Sequence, residues 1–108
     1  MHMPYFLLFY ETADNYIEKR APYRAAHLER ARDAHARGEL LMAGALADPA
    51  DRAVLVFRTA TREAVEDFAR LDPYVVNGAV ARWEVRPWTV VIGHDPAEPP
   101  PTPPPAGR

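Results

Sequence analysis

Few side chains in this 108-residue chain can move a proton near neutral pH. Histidine is the foremost, because its ordinary pKa is about 6.5, and the chain has four histidines and no cysteine. His27 is the most informative of them. It lies on the row Tyr23, His27, Ala31, Ala34, at helical spacing and next to Leu28, which predicts a ring at the margin of a buried helix face. Asp72 is the second candidate. It follows an apolar stripe and precedes Pro73, so its carboxylate meets the negative end of a helix dipole and needs a partner there. A carboxylate that reaches an imidazole fixes the tautomer and steadies the charged ring, which is what proton transfer by an oriented base requires. Each residue also has a plainer reading, His27 as a half-buried structural histidine donating to a carbonyl and Asp72 as the cap of the turn at Pro73.

Other polar groups are placed around this pair. Arg20 and Arg24 stand one helical turn apart near His27 and are suited to a substrate carboxylate, although arginines at a helix start are commonly solvated. Tyr10, Tyr23 and Tyr74 can donate to an oxygen in a pocket, or simply pack. No metal site is expected. His27 and His35 are eight residues apart in one predicted helix, about 12 Å along its axis, and no HxH or HExxH pattern is present. No glycine-rich phosphate loop or GxSxG elbow occurs either, so nucleotide hydrolysis and serine-esterase chemistry are not expected.

The elements that must position these residues follow from patterning. Tyr5–Tyr10 reads as a central strand, apolar on both faces. Pro22 suits the first turn of a helix over Tyr23–Arg37 that Gly38 terminates, with Leu28, Ala31, Ala34 and His35 facing inward. Leu40–Ala47 and Ala53–Arg58 read as a hairpin around the turn cluster at 48–52. Thr61 caps a second helix that ends at Asp72, with Ala64, Val65, Phe68 and Leu71 as its stripe. Val80–Val85 and Thr89–Ile92 are strand-like, divided at Arg86-Pro87, where proline marks a bend or a sheet edge. The order β-α-β-β-α-β with an extra C-terminal strand predicts an α+β, ferredoxin-like fold, an antiparallel sheet with both helices on one face. Its other face is then open and apolar, which predicts a homodimer with two sheets packed face to face.

Composition bounds the partners. The chain is 48% hydrophobic and 26% charged with a net charge of -2, which suits one small folded domain and offers no bulk positive field for nucleic acid or anionic lipid. Its longest apolar run, residues 4–10, is far short of the roughly 20 residues needed to cross a bilayer, so a cytoplasmic protein without membrane partners is expected. The domain is expected over residues 1–93. Residues 94–108, with seven prolines at 96, 99–101 and 103–105, are expected to form an extended or disordered tail.

Three segments together resemble a known family. Arg24-Ala25-Ala26-His27-Leu28, the stretch Gly38-Glu39-Leu40 through Gly44-Ala45-Leu46, and Asp72-Pro73-Tyr74 with Gly78 are similar to the R-x-x-H-L, G-x-L-x-x-x-G-x-L and D-P-Y motifs of YCII-domain (YciI-like) proteins. The chain departs from the commonest pattern in having Ala45 after the glycine, a short 48–52 turn and the proline-rich extension. The resemblance implies a dimeric ferredoxin-like fold related to muconolactone isomerase, with a site around His27 and Asp72. Some members are enzymes, such as a dehydrochlorinase of substituted hydroquinones. The expectation is therefore a lyase or isomerase without a cofactor, acting on a small cyclic or aromatic compound. His27 and Asp72 are its catalytic candidates, and Arg24, Tyr74, Tyr10 and Gly44 its candidate substrate-binding residues. The alternatives are a small-molecule-binding or accessory protein without turnover, and a structural dimer module.

Overall fold

The computed structural model describes residues 3–93, so the proline-rich segment at 94–108 lies outside the described residues. Strand β1 (Tyr5–Thr12) sets the layering. Phe6, Leu8 and Tyr10 are buried on one side, and Leu7 and Phe9 are half-buried on the other, as the two-residue period of a strand dictates. Burying a side chain such as Leu8 completely is worth about 1.5–3 kcal/mol, so this strand anchors the core. The following elements are α1 (Tyr16–Arg20), a 3-10 turn (Ala21–Tyr23), α2 (Arg24–Ala36), β2 (Leu40–Ala45), β3 (Arg52–Arg58), α3 (Arg62–Leu71), α4 (Pro73–Val76) and β4 (Val80–Trp88).

The sheet has the order β2-β3-β1-β4 and is antiparallel throughout. α2 carries the chain from β1 over β3 to the edge strand β2, which is the split βαβ connection expected from the sequence. The helices cover one face, where Leu8, Leu55, Phe57 and Val85 meet Ala34, Val65, Phe68 and Ala69. The Phe57 and Phe68 rings meet edge-on at 5.1 Å.

Local chemistry sets the element ends. The Thr61 hydroxyl accepts the Ala64 N–H at 3.3 Å and caps α3. Gly38, at φ +82°, takes the left-handed position that ends α2. Pro22 lies in the 3-10 turn just ahead of α2.

Several expectations are corrected. Leu71, expected inward, is 67% exposed, because it lies six residues beyond Val65, roughly 240° around the helix; Ala69 takes the inward place. His35 is likewise exposed rather than inward, and its Nδ1 meets the Leu40 carbonyl at 2.7 Å. The separate C-terminal strand over Thr89–Ile92 is absent. β4 instead runs unbroken through Arg86 and Pro87 to Trp88, and Trp88 pairs with Tyr5, the first residue of β1. The next residue on the β1 side is Pro4, which has no N–H to donate, and Val91 and Ile92 are 82% and 90% exposed. Pro87 is tolerated because β4 is an edge strand. β2 stops at Ala45, two residues short of the expected end.

Candidate active site

The Asp-Pro-Tyr segment builds one half of the site. Asp72 leaves α3 in extended conformation (φ -67°, ψ 125°) and at once serves as the N-cap of α4, with Pro73 in the first helical position. Its Oδ1 accepts the Tyr74 N–H at 3.0 Å. The capping reading and the site reading therefore hold for the same carboxylate. Pro73 does not merely stop one helix; it starts the next.

The other half comes from β1 and α2. The Tyr10 hydroxyl donates to Asp72 Oδ2 at 2.6 Å, and His27 Nδ1 stands 2.9 Å from both carboxylate oxygens. Asp72 is fully buried and the His27 side chain 14% exposed. An ionised carboxylate only accepts, so counting donors and acceptors assigns a proton to His27 Nδ1 and leaves Nε2 as the free nitrogen. Burial, followed by the neighbouring charge of Asp72 and the hydrogen bond to it, holds the Tyr10 phenol well above the usual tyrosine range, so Tyr10 remains a donor. Its hydroxyl is committed to Asp72.

Packing fixes the imidazole plane. The Tyr74 ring lies flat against it, with centroids 3.9 Å apart and planes 8° from parallel, and Tyr16 meets Tyr74 edge-on at 6.0 Å. Two concavities are candidates for a ligand. The larger, about 530 Å³, lies on the helix-free sheet face among Phe9, Glu11, Arg52, Arg82, Glu84 and Arg86. The smaller, about 250 Å³, lies between α2 and β2 and is lined by Tyr10, Arg20, Arg24, His27, Gly44 and Tyr74, among others. Only the smaller one is reached by the His27–Asp72 pair, so we take it as the site despite its size. Among the described residues, no group of three His, Cys, Asp or Glu side chains is placed to hold a metal ion.

Residues 3–89 match the model of the YCII-related domain family. The chain belongs to that family. No curated protein matches it. Its structure is similar to that of 5-chloro-2-hydroxyhydroquinone dehydrochlorinase from Burkholderia phenoliruptrix AC1100 in complex with 2,5-dihydroxybenzoquinone, with a TM-score of 0.67, 18% identity, and 79% of this chain and 93% of that chain covered. At that identity the likeness speaks for the fold.

The YCII-related domain thus brings all six sequence-predicted residues together, although not in equivalent positions. His27, Asp72, Tyr10 and Tyr74 are in direct contact. Arg24 and Gly44 stand on the cavity wall without touching the carboxylate. A Cβ at Gly44 would meet nothing within 4 Å, so packing does not require glycine there. Tyr23 packs at the edge of the core. Tyr16 went unforeseen; its only sequence signal is a lone aromatic in the polar stretch between β1 and α2.

Proposed function

We propose that this YCII-related protein is a lyase or isomerase that needs no cofactor and acts on a small cyclic or aromatic compound. One observation carries the reading: a fully buried carboxylate holds His27 Nδ1, so that the free Nε2 belongs to the residue that lines the cavity. In this reaction Nε2 takes a proton from a substrate O–H or C–H, and the electron pair moves into the ring. In a lyase that pair expels a leaving group from the adjacent position; in an isomerase the proton returns elsewhere. Asp72 keeps the ring in the accepting tautomer and stabilises the imidazolium that forms. Tyr10 holds the carboxylate in place, and Arg24 and Tyr74 shape or polarise the substrate. The similar dehydrochlorinase, solved with a dihydroxybenzoquinone, supports a ring of this size.

A thermal-shift screen with hydroxylated aromatics, quinones, lactones and cyclic keto acids tests the reading, comparing wild type with His27→Ala. A true ligand at about 100 times its Kd stabilises the fold by about 2.7 kcal/mol, on the order of 10 °C, and loses most of that effect in the variant. Equal shifts in both proteins move the site away from His27. Hits are then assayed for turnover.

We also infer that the active form is a cytoplasmic homodimer joined through the helix-free sheet faces. On that face Leu7, Phe9, Val54 and Val56 are half-buried, Met42 and Trp88 are 69% and 44% exposed, and Glu11, Arg52, Arg82, Glu84 and Arg86 stand among them as charges that a partner must pair. Apolar side chains so grouped are expected to be covered. Light scattering at micromolar concentration should give twice the chain mass, and a single chain mass rejects the dimer.

A further inference from the structure

We propose that the cavity beside the dyad is an anion site, in which Arg24 and Tyr74, with Arg20 behind them, bind an ionised oxygen carried on a single six-membered ring. The proposal rests on the cavity being the site of a small cyclic compound and adds the charge that this compound must bear.

Three observations converge. The first is charge. The chain carries a net charge of -2, yet the cavity wall holds Arg20 and Arg24 and no carboxylate. The acid closest to the chemistry, Asp72, is fully buried and already accepts from Tyr10, His27 and Tyr74, so its oxygens are committed there rather than to the arginines of the cavity wall. Guanidinium groups facing a half-enclosed cavity favour an anionic oxygen, which they can meet with two parallel N–H donors.

The second is an unmet donor. Tyr74 is 2% exposed, and the Arg24 guanidinium stands within hydrogen-bonding reach of its hydroxyl oxygen, while its own O–H meets no acceptor of regular geometry among the described residues. A buried O–H without an acceptor is costly, and a protein rarely keeps one for packing alone. Burial, followed by Tyr16, pushes the pKa of this phenol up, and the hydrogen bond and charge of Arg24, with the charge of Arg20, oppose the rise. All three line the cavity beside Tyr74.

The third is preorganisation. Arg20 closes α1 and Arg24 opens α2, so the 3-10 turn between them brings both to the same end of the cavity. The Arg20 guanidinium lies over the Tyr16 ring at 5.0 Å, which restrains it before a ligand arrives. An apolar cavity of about 150 Å³ takes up benzene, so about 250 Å³ admits one ring with oxygen substituents.

Calorimetric titration of the full chain tests this with two probe pairs, benzoate against benzamide and 2,5-dihydroxybenzoquinone, ionised near neutral pH, against hydroquinone. The charged member of each pair should bind about tenfold to a hundredfold more tightly. Arg24→Gln should erase that preference. Tyr74→Phe should weaken the charged probe while changing the Tm of the free protein only slightly, since the hydroxyl gives up only its contact with Arg24. His27→Gln should keep the preference while losing turnover, which separates this site from the acid–base reading. Equal affinity within both pairs, no binding of either charged probe at millimolar concentration, or a preference that survives both Arg24→Gln and Tyr74→Phe overturns the proposal.

Discussion

Replacing His27 with glutamine is expected to slow turnover about 10²- to 10⁴-fold and to leave a folded protein that still binds its ligand. The glutamine amide can donate to Asp72 as His27 Nδ1 does at 2.9 Å, so the buried carboxylate keeps a partner. It has no lone pair equivalent to Nε2 and cannot hold a transferred proton. The flat contact of the imidazole on Tyr74 is also lost, at a cost of about 0.5–1.5 kcal/mol in stability, which a small domain survives. Steady-state kinetics on the compound found by the ligand screen read the outcome. A fall confined to kcat marks a group that acts in the transition state, whereas a rise confined to KM marks His27 as a binding contact only. A rate near that of wild type removes the acid–base assignment.

What made this site legible in the sequence was the coincidence of helical spacing with an unusual place for a carboxylate. His27 sits on a row that borders buried Ala34, and an aspartate at the end of a helix needs a partner, so the topology alone sets the two face to face. The way in which Asp72 is held was less visible. Its bond to Tyr10 joins residues 62 positions apart, and a strand tyrosine that points inward looks the same whether it packs or donates. Short elements were also hidden. α1 has five residues and α4 has four, too few for a helical period to show, yet they place Tyr16, Arg20 and Tyr74 on the cavity. The β-branched run after Trp88 misled for a different reason: strand propensity needs a partner that can donate, and the residue before Tyr5 is Pro4, which cannot.

The largest loss of stability is expected from Asp72→Ala. The fully buried carboxylate is the common acceptor for the Tyr10 hydroxyl, the Tyr74 N–H and His27 Nδ1, and truncation leaves three donors facing a cavity. Breaking a buried charged network by removing one member costs about 3–5 kcal/mol, against a total of about 5–15 kcal/mol for a domain. Chemical denaturation should therefore show a lower midpoint with an unchanged slope. Asp72→Asn separates architecture from chemistry. Its one carbonyl oxygen can still cap α4 through the Tyr74 N–H, so it should lose only about 1–3 kcal/mol. Its amide nitrogen takes the Oδ2 position beside Tyr10, so Nδ1 keeps only a neutral acceptor and an imidazolium loses the negative charge that Asp72 supplies. Such a variant folds but no longer steadies the protonated ring with a negative charge, and its turnover should fall toward that of His27→Gln. Full activity in Asp72→Asn would show that the carboxylate serves the fold alone, because that variant spares the cap while removing the negative charge beside the imidazole.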